Sequence, residues 1–193
     1  MLPLEKTLGV LGYPLGHSLS PLMINTALEE LKLPYRLLPF EVPPDDLEDA
    51  VRGIRALGIH GFALTIPHKE AVIPFLDELS PDAQRAGAVN LVERLGDRLI
   101  GHNTDGAGFV RSLREDGGLG VAGCGFLILG AGGAARGIAS ELASLGASRL
   151  VIANRTLRRA ISLAESIQKT SNGVQIDVVT LGSQEVEMAA GEL

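Results

Sequence analysis

Three short polar clusters carry the side chains best suited to chemistry. They are "GHSLSP" (residues 16–21), "TIPHK" (65–69) and "GHNTDG" (101–106), with "GAVN" (87–90) leading into a predicted hairpin. Together they offer hydroxyls, an amide, an ammonium group and a carboxylate. Each stands at the end of an apolar run that reads as a strand, and open parallel sheets bind ligands beyond the carboxyl ends of their strands. The set suits a small polyhydroxylated acid better than an apolar ligand. Lys69 follows a buried-looking strand stopped by Pro67. It is either a solvated charge at a helix start or a charge aimed into a cleft, and residue type alone leaves both open.

A second kind of chemistry is written in "LILGAGGAARGIASEL" (127–142). Gly130, Gly132 and Ala135 fit the G-x-G-x-x-[GA] pattern between an apolar strand and a helix. The first glycine permits a tight turn, the second lets backbone approach a pyrophosphate, and the third position needs a small residue for helix–strand packing. The helix start adds amide donors and a positive dipole end. The competing reading is a structural glycine turn. The next strand ends in "ANRTLRRA" (153–160), where Asn154, Arg155 and Thr156 precede Arg158 and Arg159. A site for NAD usually carries an acid there. Guanidinium groups match phosphate oxygens instead, so NADP is favoured. Arg158 is also explained as decoration of an exposed helix.

These groups need elements to hold them. "TLGVLG", "YRLLPFEV" and "GFALTI" read as strands, with helices "SPLMINTALEELKL" and "DDLEDAVRGIRALGI" between them. Ser20 is the expected N-cap of the first helix, and Pro39 hints at an edge strand or a bulge. Leu47, Val51 and Ile54 repeat at helical spacing, and Gly58 stops the second helix. Helical pieces broken by Pro74 and Pro81 follow. Two apolar runs around Gly96-Asp97 predict a hairpin. After a helix from Gly106 and the linker-like "GGLGVAGCG" (117–125), "FLILG", "RLVIAN" and "VQIDVVTL" alternate with two helices. Two successive β-α-β-α-β runs predict an α/β protein with largely parallel sheets. The expected division is a catalytic domain over 1–106 and an incomplete dinucleotide-binding domain over 107–193.

Composition narrows the class. With five Phe, two Tyr and no Trp, the core must be aliphatic. A net charge of −6 without a basic run argues against a nucleic-acid partner. Cys124 is the single cysteine, which rules out an intrachain disulfide, and it reads as a small buried residue. No apolar run suits a membrane span and no signal peptide is evident, so a cytoplasmic location is expected. His17, His60, His68 and His102 lack metal-ligand spacing, so no metal is expected. The three beside the polar clusters read as structural or supporting residues.

Taken together, "GYPLGHSLSP", "TIPHKEA", "GAVN", "GHNTDGAGF", "LGAGGAARG" and "NRTLRRA" resemble shikimate dehydrogenase, in family order and across nearly the whole chain. The resemblance implies NADP-dependent interconversion of 3-dehydroshikimate and shikimate in aromatic amino-acid biosynthesis. It implies a two-domain α/β enzyme with substrate in the cleft between an N-terminal domain and a Rossmann-like domain. By motif, Ser18 and Ser20 would bind the substrate carboxylate, and Thr65, Lys69, Asn90 and Asp105 would surround its ring hydroxyls. Lys69 and Asp105 would be the catalytic pair. Gly130, Ala131, Gly132, Gly133 and Ala134 would hold the cofactor pyrophosphate, and Asn154, Arg155, Thr156 and Arg159 its ribose phosphate. The expected partners are this small-molecule substrate and, at most, a second copy in a homodimer, with neither nucleic acid nor membrane.

Hydride transfer from a secondary alcohol requires removal of the hydroxyl proton. A placed lysine can take that proton or stabilise the developing oxyanion, and a carboxylate can orient it. A carboxylate partner favours the charged ammonium, which leaves two roles for Lys69: base, or electrostatic and relay group.

The chain departs from the family pattern twice. Ala63 stands where asparagine is usual, in "ALTIP". The family's further strands, its loop near the nicotinamide and its helix with a substrate-contacting glutamine find no counterpart. One βαβαβ unit is half of a doubly wound fold. An unpaired sheet edge, bare apolar faces and weak or no dehydrogenase activity are therefore expected. The alternatives are a quinate/shikimate dehydrogenase with relaxed cofactor use and an inactive metabolite- or nucleotide-binding fragment.

Overall fold

A computed structural model describes residues 6–182 and 184–191. The chain forms two compact units: Met1–Ser80 with Val89–His102, and Pro81–Ala88 with Asn103–Leu193. This division departs from an expected boundary at 106 in two places. It falls at His102, and an inserted helix belongs to the second unit.

In the first unit, β1 (Lys6–Gly12), α1 (Ser20–Glu30), β2 (Tyr35–Glu41), α2 (Leu47–Leu57) and β3 (Gly61–Leu64) follow in turn. The single turn α3 (His68–Ala71) leads to a two-residue strand β4 (Glu78–Leu79). Helix α4 (Pro81–Ala86) departs to the second unit, and the chain returns as β5 (Leu91–Leu95) and β6 (Arg98–His102). The sheet order is β2-β1-β3-β5-β6-β4. The β1–β2, β1–β3 and β4–β6 pairs are parallel, and β3–β5 and β5–β6 are antiparallel. The Gly96-Asp97 turn closes the hairpin, with Gly96 at φ +64° where glycine carries no Cβ penalty.

Strand alternation sends Val10 and Leu37 to one face, where Leu15 of the following loop and Ile24 of α1 pack on them. Buried Leu47, Val51 and Ile54 form the inner stripe of α2, which Gly58 ends at φ +71°. Pro39 lies on the edge strand without a bulge, since β2 keeps continuous register with β1. The side-chain amide of Asn25 serves the outward N–H and C=O of Leu37. Pro39, two residues on, turns the same way, so its missing N–H costs no ladder bond.

The second unit adds α5 (Asp105–Glu115), β7 (Gly125–Leu129), α6 (Gly133–Ser144), β8 (Arg149–Asn154), α7 (Leu157–Thr170), β9 (Gln175–Thr180) and α8 (Gln184–Gly191). The three strands are parallel in the order β7-β8-β9. Leu150, Val151, Ile152 and Ala153 of the central strand are wholly buried, as a parallel strand covered on both faces requires. Ala160, Leu163, Ala164 and Ile167 form the inner stripe of α7. Among the described residues β7 and β9 each pair on one side only, and Leu129 is 66% exposed. Leu157 and Ile161 of α7 and Met188 of α8 are exposed as well, so bare apolar surface lies on the outer strand and on helices alike.

Two local expectations are corrected. Helix α1 begins at Ser20, with Leu19 as its N-cap residue, so Ser20 is inside the helix. The Ser18 hydroxyl lies 3.4 Å from the Ser20 amide and supplies an acceptor from one residue further out. Cys124 is exposed, not buried. Its N–H donates to Val121 and its carbonyl accepts from Ser148, which fixes it in the turn before β7, outside the core.

Candidate functional site

Four segments of the first unit are fastened to one another at the carboxyl edge of β1 and β3. Thr65 N–H donates to the Leu11 carbonyl at 2.9 Å, and Tyr13 N–H donates to Ile66 at 2.9 Å. The loop carrying Ser18 therefore starts against the segment carrying Thr65 and Lys69. Leu64 N–H donates to Asn90 at 2.9 Å, and Asn90 N–H donates to His102 at 3.0 Å. Val89 N–H donates to the Lys69 carbonyl at 2.7 Å. Backbone bonds alone thus gather Thr65, Lys69 and Asn90 at one edge. Gly12 makes the close approach possible, because a Cβ there would collide with the Thr65 methyl group.

Strand β3 ends at Leu64, so Thr65 lies just past it. Ser18, Ser20, Thr65, Lys69 and Asn90 are all half-buried, as groups that must meet both a scaffold and a solute would be. Ala63 points to the same face as Thr65 by alternation and packs on the Val10–Leu15–Leu37 cluster. At this position the side chain makes only apolar contact.

Asp105 belongs to the second unit, as the first residue of α5. Its N–H donates to the side-chain carbonyl of Asn103 at 3.1 Å. The other half of that amide donates to Ala88 at 3.0 Å. Asn103 is only 6% exposed, and the bare Cα of Gly137 leaves room for it. Gly106 is needed for a similar reason, since a Cβ there would stand 2.5 Å from the Gly137 carbonyl oxygen. Asn103 and Gly137 thus belong to the support of this helix start, though neither residue type announces it. The signal in the sequence is positional, an amide two residues before a helix start.

The glycine turn after β7 has its expected form. Gly130 takes φ +117°, its N–H donates to Ala153 at 2.7 Å, and Gly132 is the N-cap of α6. A Cβ on Gly130 or Gly132 would meet nothing within 4 Å, so the space above the turn is open. Ala131 is buried, Gly133 half-buried and Ala134 exposed. No side chain caps α6, so its first-turn amides are available to an anion. At the end of the neighbouring β8, Asn154 donates to the Thr156 carbonyl at 2.8 Å and shapes the turn. Arg155, Thr156, Arg158 and Arg159 are exposed around the start of α7. An open glycine turn beside exposed guanidinium groups fits a phosphorylated dinucleotide.

The expected supporting role of the histidines has a clear case in His68. It is wholly buried, with Nε2 2.8 Å from the Val42 carbonyl oxygen. His60 stacks edge-on against Tyr35, and His102 Nε2 lies 3.5 Å from Glu93. Among the described residues no three metal-ligating side chains cluster, and no helix is long and apolar enough to cross a membrane.

Comparison with known proteins gives the same outline. Residues 10–92 match the shikimate dehydrogenase substrate binding domain, and residues 116–187 match the shikimate / quinate 5-dehydrogenase family. A shikimate 5-dehydrogenase from Thermus thermophilus, solved with NADP(H) and shikimate, is 38% identical. The alignment covers 91% of this chain and 68% of that one, with a TM-score of 0.77. The chain belongs to the shikimate dehydrogenase family. A curated shikimate dehydrogenase (NADP(+)) from Geobacter sulfurreducens is 50% identical over 91% of this chain. A shikimate dehydrogenase crystallised with NADP+ gives a TM-score of 0.85 at 41% identity, covering 92% of this chain and 62% of that one. The chain spans about 62% of the length of curated shikimate dehydrogenases from two Geobacter species that it matches.

Proposed function

We propose that this chain carries the substrate-binding and first cofactor-binding parts of an NADP-dependent dehydrogenase that interconverts 3-dehydroshikimate and shikimate. The observation behind this reading is the backbone-fastened edge that holds Thr65, Lys69 and Asn90 together. Hydroxyl, ammonium and amide groups at one edge suit a ring bearing several hydroxyls. Ser18 and Ser20, on the adjoining loop and helix start, take the substrate carboxylate. Lys69 and Asp105 are the residues that handle the proton of the reacting hydroxyl. Gly130, Ala131, Gly132, Gly133 and Ala134 receive the pyrophosphate at the open turn. Asn154, Arg155, Thr156 and Arg159 receive the 2′-phosphate. The cofactor, when bound, supplies or accepts the hydride.

The same reading is of a cytoplasmic protein with a small-molecule substrate and a homodimer as its assembly, and neither nucleic acid nor membrane as partner. The match to a shikimate / quinate family favours quinate as a second substrate.

The test couples binding to turnover. Calorimetry with shikimate and NADP+ should show both ligands bound by the 193-residue chain. Whatever NADPH oxidation with 3-dehydroshikimate the chain supports, expected to be weak, should fall about 10²- to 10⁴-fold in Lys69→Ala, the usual contribution of a placed acid–base group. A wild-type chain that binds neither ligand, or a Lys69→Ala variant with undiminished turnover, would overturn the proposal.

A further inference from the structure

The lysine of "TIPHK" sits on a helix of only four residues, His68–Ala71. One turn of helix cannot hold itself, because nucleation fixes several residues for a single hydrogen bond. Its geometry must be imposed from outside. One restraint is the bond from Val89 N–H to the Lys69 carbonyl. A second is the His68 side chain.

His68 is wholly buried, and its Nε2 lies 2.8 Å from the carbonyl oxygen of Val42, just past β2. A carbonyl only accepts, so Nε2 carries the hydrogen. The N–H of Val42 donates in turn to the carbonyl of Gly12, the last residue of β1, at 3.0 Å. A continuous relay therefore runs from the end of β1 through both polar groups of Val42 into the imidazole beside Lys69. Nδ1, on the other side of the ring, is buried without a partner. An unpaired buried acceptor opposes folding, so packing alone would be served better by an apolar side chain of similar size. What the imidazole uniquely supplies is the Nε2–H donor.

We infer that His68 is a positioning residue for Lys69, tying the one-turn helix to the ends of β1 and β2 through Val42. The substrate part of this inference rests on the shikimate dehydrogenase reading above. The clamp itself does not.

The experiment compares His68→Gln, whose terminal amide can reproduce the Nε2 donor, with His68→Leu, which fills the space without one. The primary readout is hydrogen exchange at the Val89 amide, which reports whether the Lys69 carbonyl stays in place. Exchange should be about tenfold or more faster in His68→Leu and close to wild type in His68→Gln, with amides of β5 and β6 unchanged in both. Shikimate affinity should weaken about tenfold or more in His68→Leu, the worth of one charge-assisted hydrogen bond, and recover in His68→Gln. Equal Val89 protection in wild type and His68→Leu overturns the clamp. Failure of wild type to bind shikimate overturns the functional reading and leaves the exchange result decisive. Should His68→Leu not fold, nitrogen NMR of the wild-type ring decides. An Nε2–H tautomer with a coupling to the Val42 carbonyl supports the clamp, and an Nδ1–H tautomer removes it.

Discussion

The side-chain amide of Asn25 holds both backbone polar groups of Leu37, donating to its carbonyl at 3.0 Å and accepting from its N–H at 2.8 Å. Helix α1 thereby occupies part of the outer edge of β2, which would otherwise offer unpaired groups to another chain. Asn25→Ala should cost about 1–3 kcal/mol, the penalty of leaving such groups unsatisfied. Urea unfolding measures the loss, and light scattering should show more self-association. A stability unchanged within error would mean that water replaces the amide fully.

Asp77 accepts from the Leu99 N–H at 2.6 Å and from Arg55 at 2.7 Å. The backbone bond first, and the guanidinium second, hold its carboxyl below the ordinary aspartate range. A depressed folded-state value means stabilisation that is complete above the unfolded value, about pH 4. It fades as pH falls through the lower folded value. Asp77→Asn should therefore be less stable than wild type near neutrality, and the gap should close in acid. Thermal unfolding from about pH 7 to about pH 2 measures it. A gap constant across that range would separate the residue's packing from its charge.

Arg155→Asp should weaken NADP+ by about 10- to 100-fold, the worth of one charge-assisted bond. It should leave NAD+ much less affected. Calorimetry with both cofactors checks the ratio. Equal losses would remove Arg155 from the 2′-phosphate site.

Gly137→Ala drives a methyl group into the Asn103 amide. Overpacking of this kind costs about 1–3 kcal/mol. Because Asn103 also accepts from the Asp105 amide, the change should reach the start of α5. The Asp105 amide should exchange faster, while Gly53→Ala, where a Cβ meets nothing within 4 Å, should leave it as it is.

The legible parts of the fold were those with strong local patterns. Leu47, Val51 and Ile54 announce α2, and Gly96-Asp97 announces the β5–β6 turn, because burial and chirality act within a few residues. Strand β4 was not legible. Two residues carry no period, and Glu78 pairs with Ile100 far along the chain. The Cys124 reading failed because composition cannot show that both backbone groups of a turn residue are claimed outside the core. At the candidate site, residue types marked Thr65, Lys69 and the glycine turn. The supporting role of His68 was legible but its partner was not, and Asn103 stayed hidden, since the His68–Val42 and Asn103–Ala88 bonds depend on where distant carbonyls arrive.

The backbone passes between the two units at three places, after Ser80, after Ala88 and after His102. No single cut therefore separates them. A fragment ending at His102 would carry α4 away from the α6 and α7 surfaces that bury Ala83 and Ala86. A fragment beginning at Asn103 would lack the Ala88 carbonyl that orients Asn103. For this chain, the units of folding and the units of gene dissection do not coincide. Grafting either unit onto another protein would require transplanting the 81–88 segment with the second.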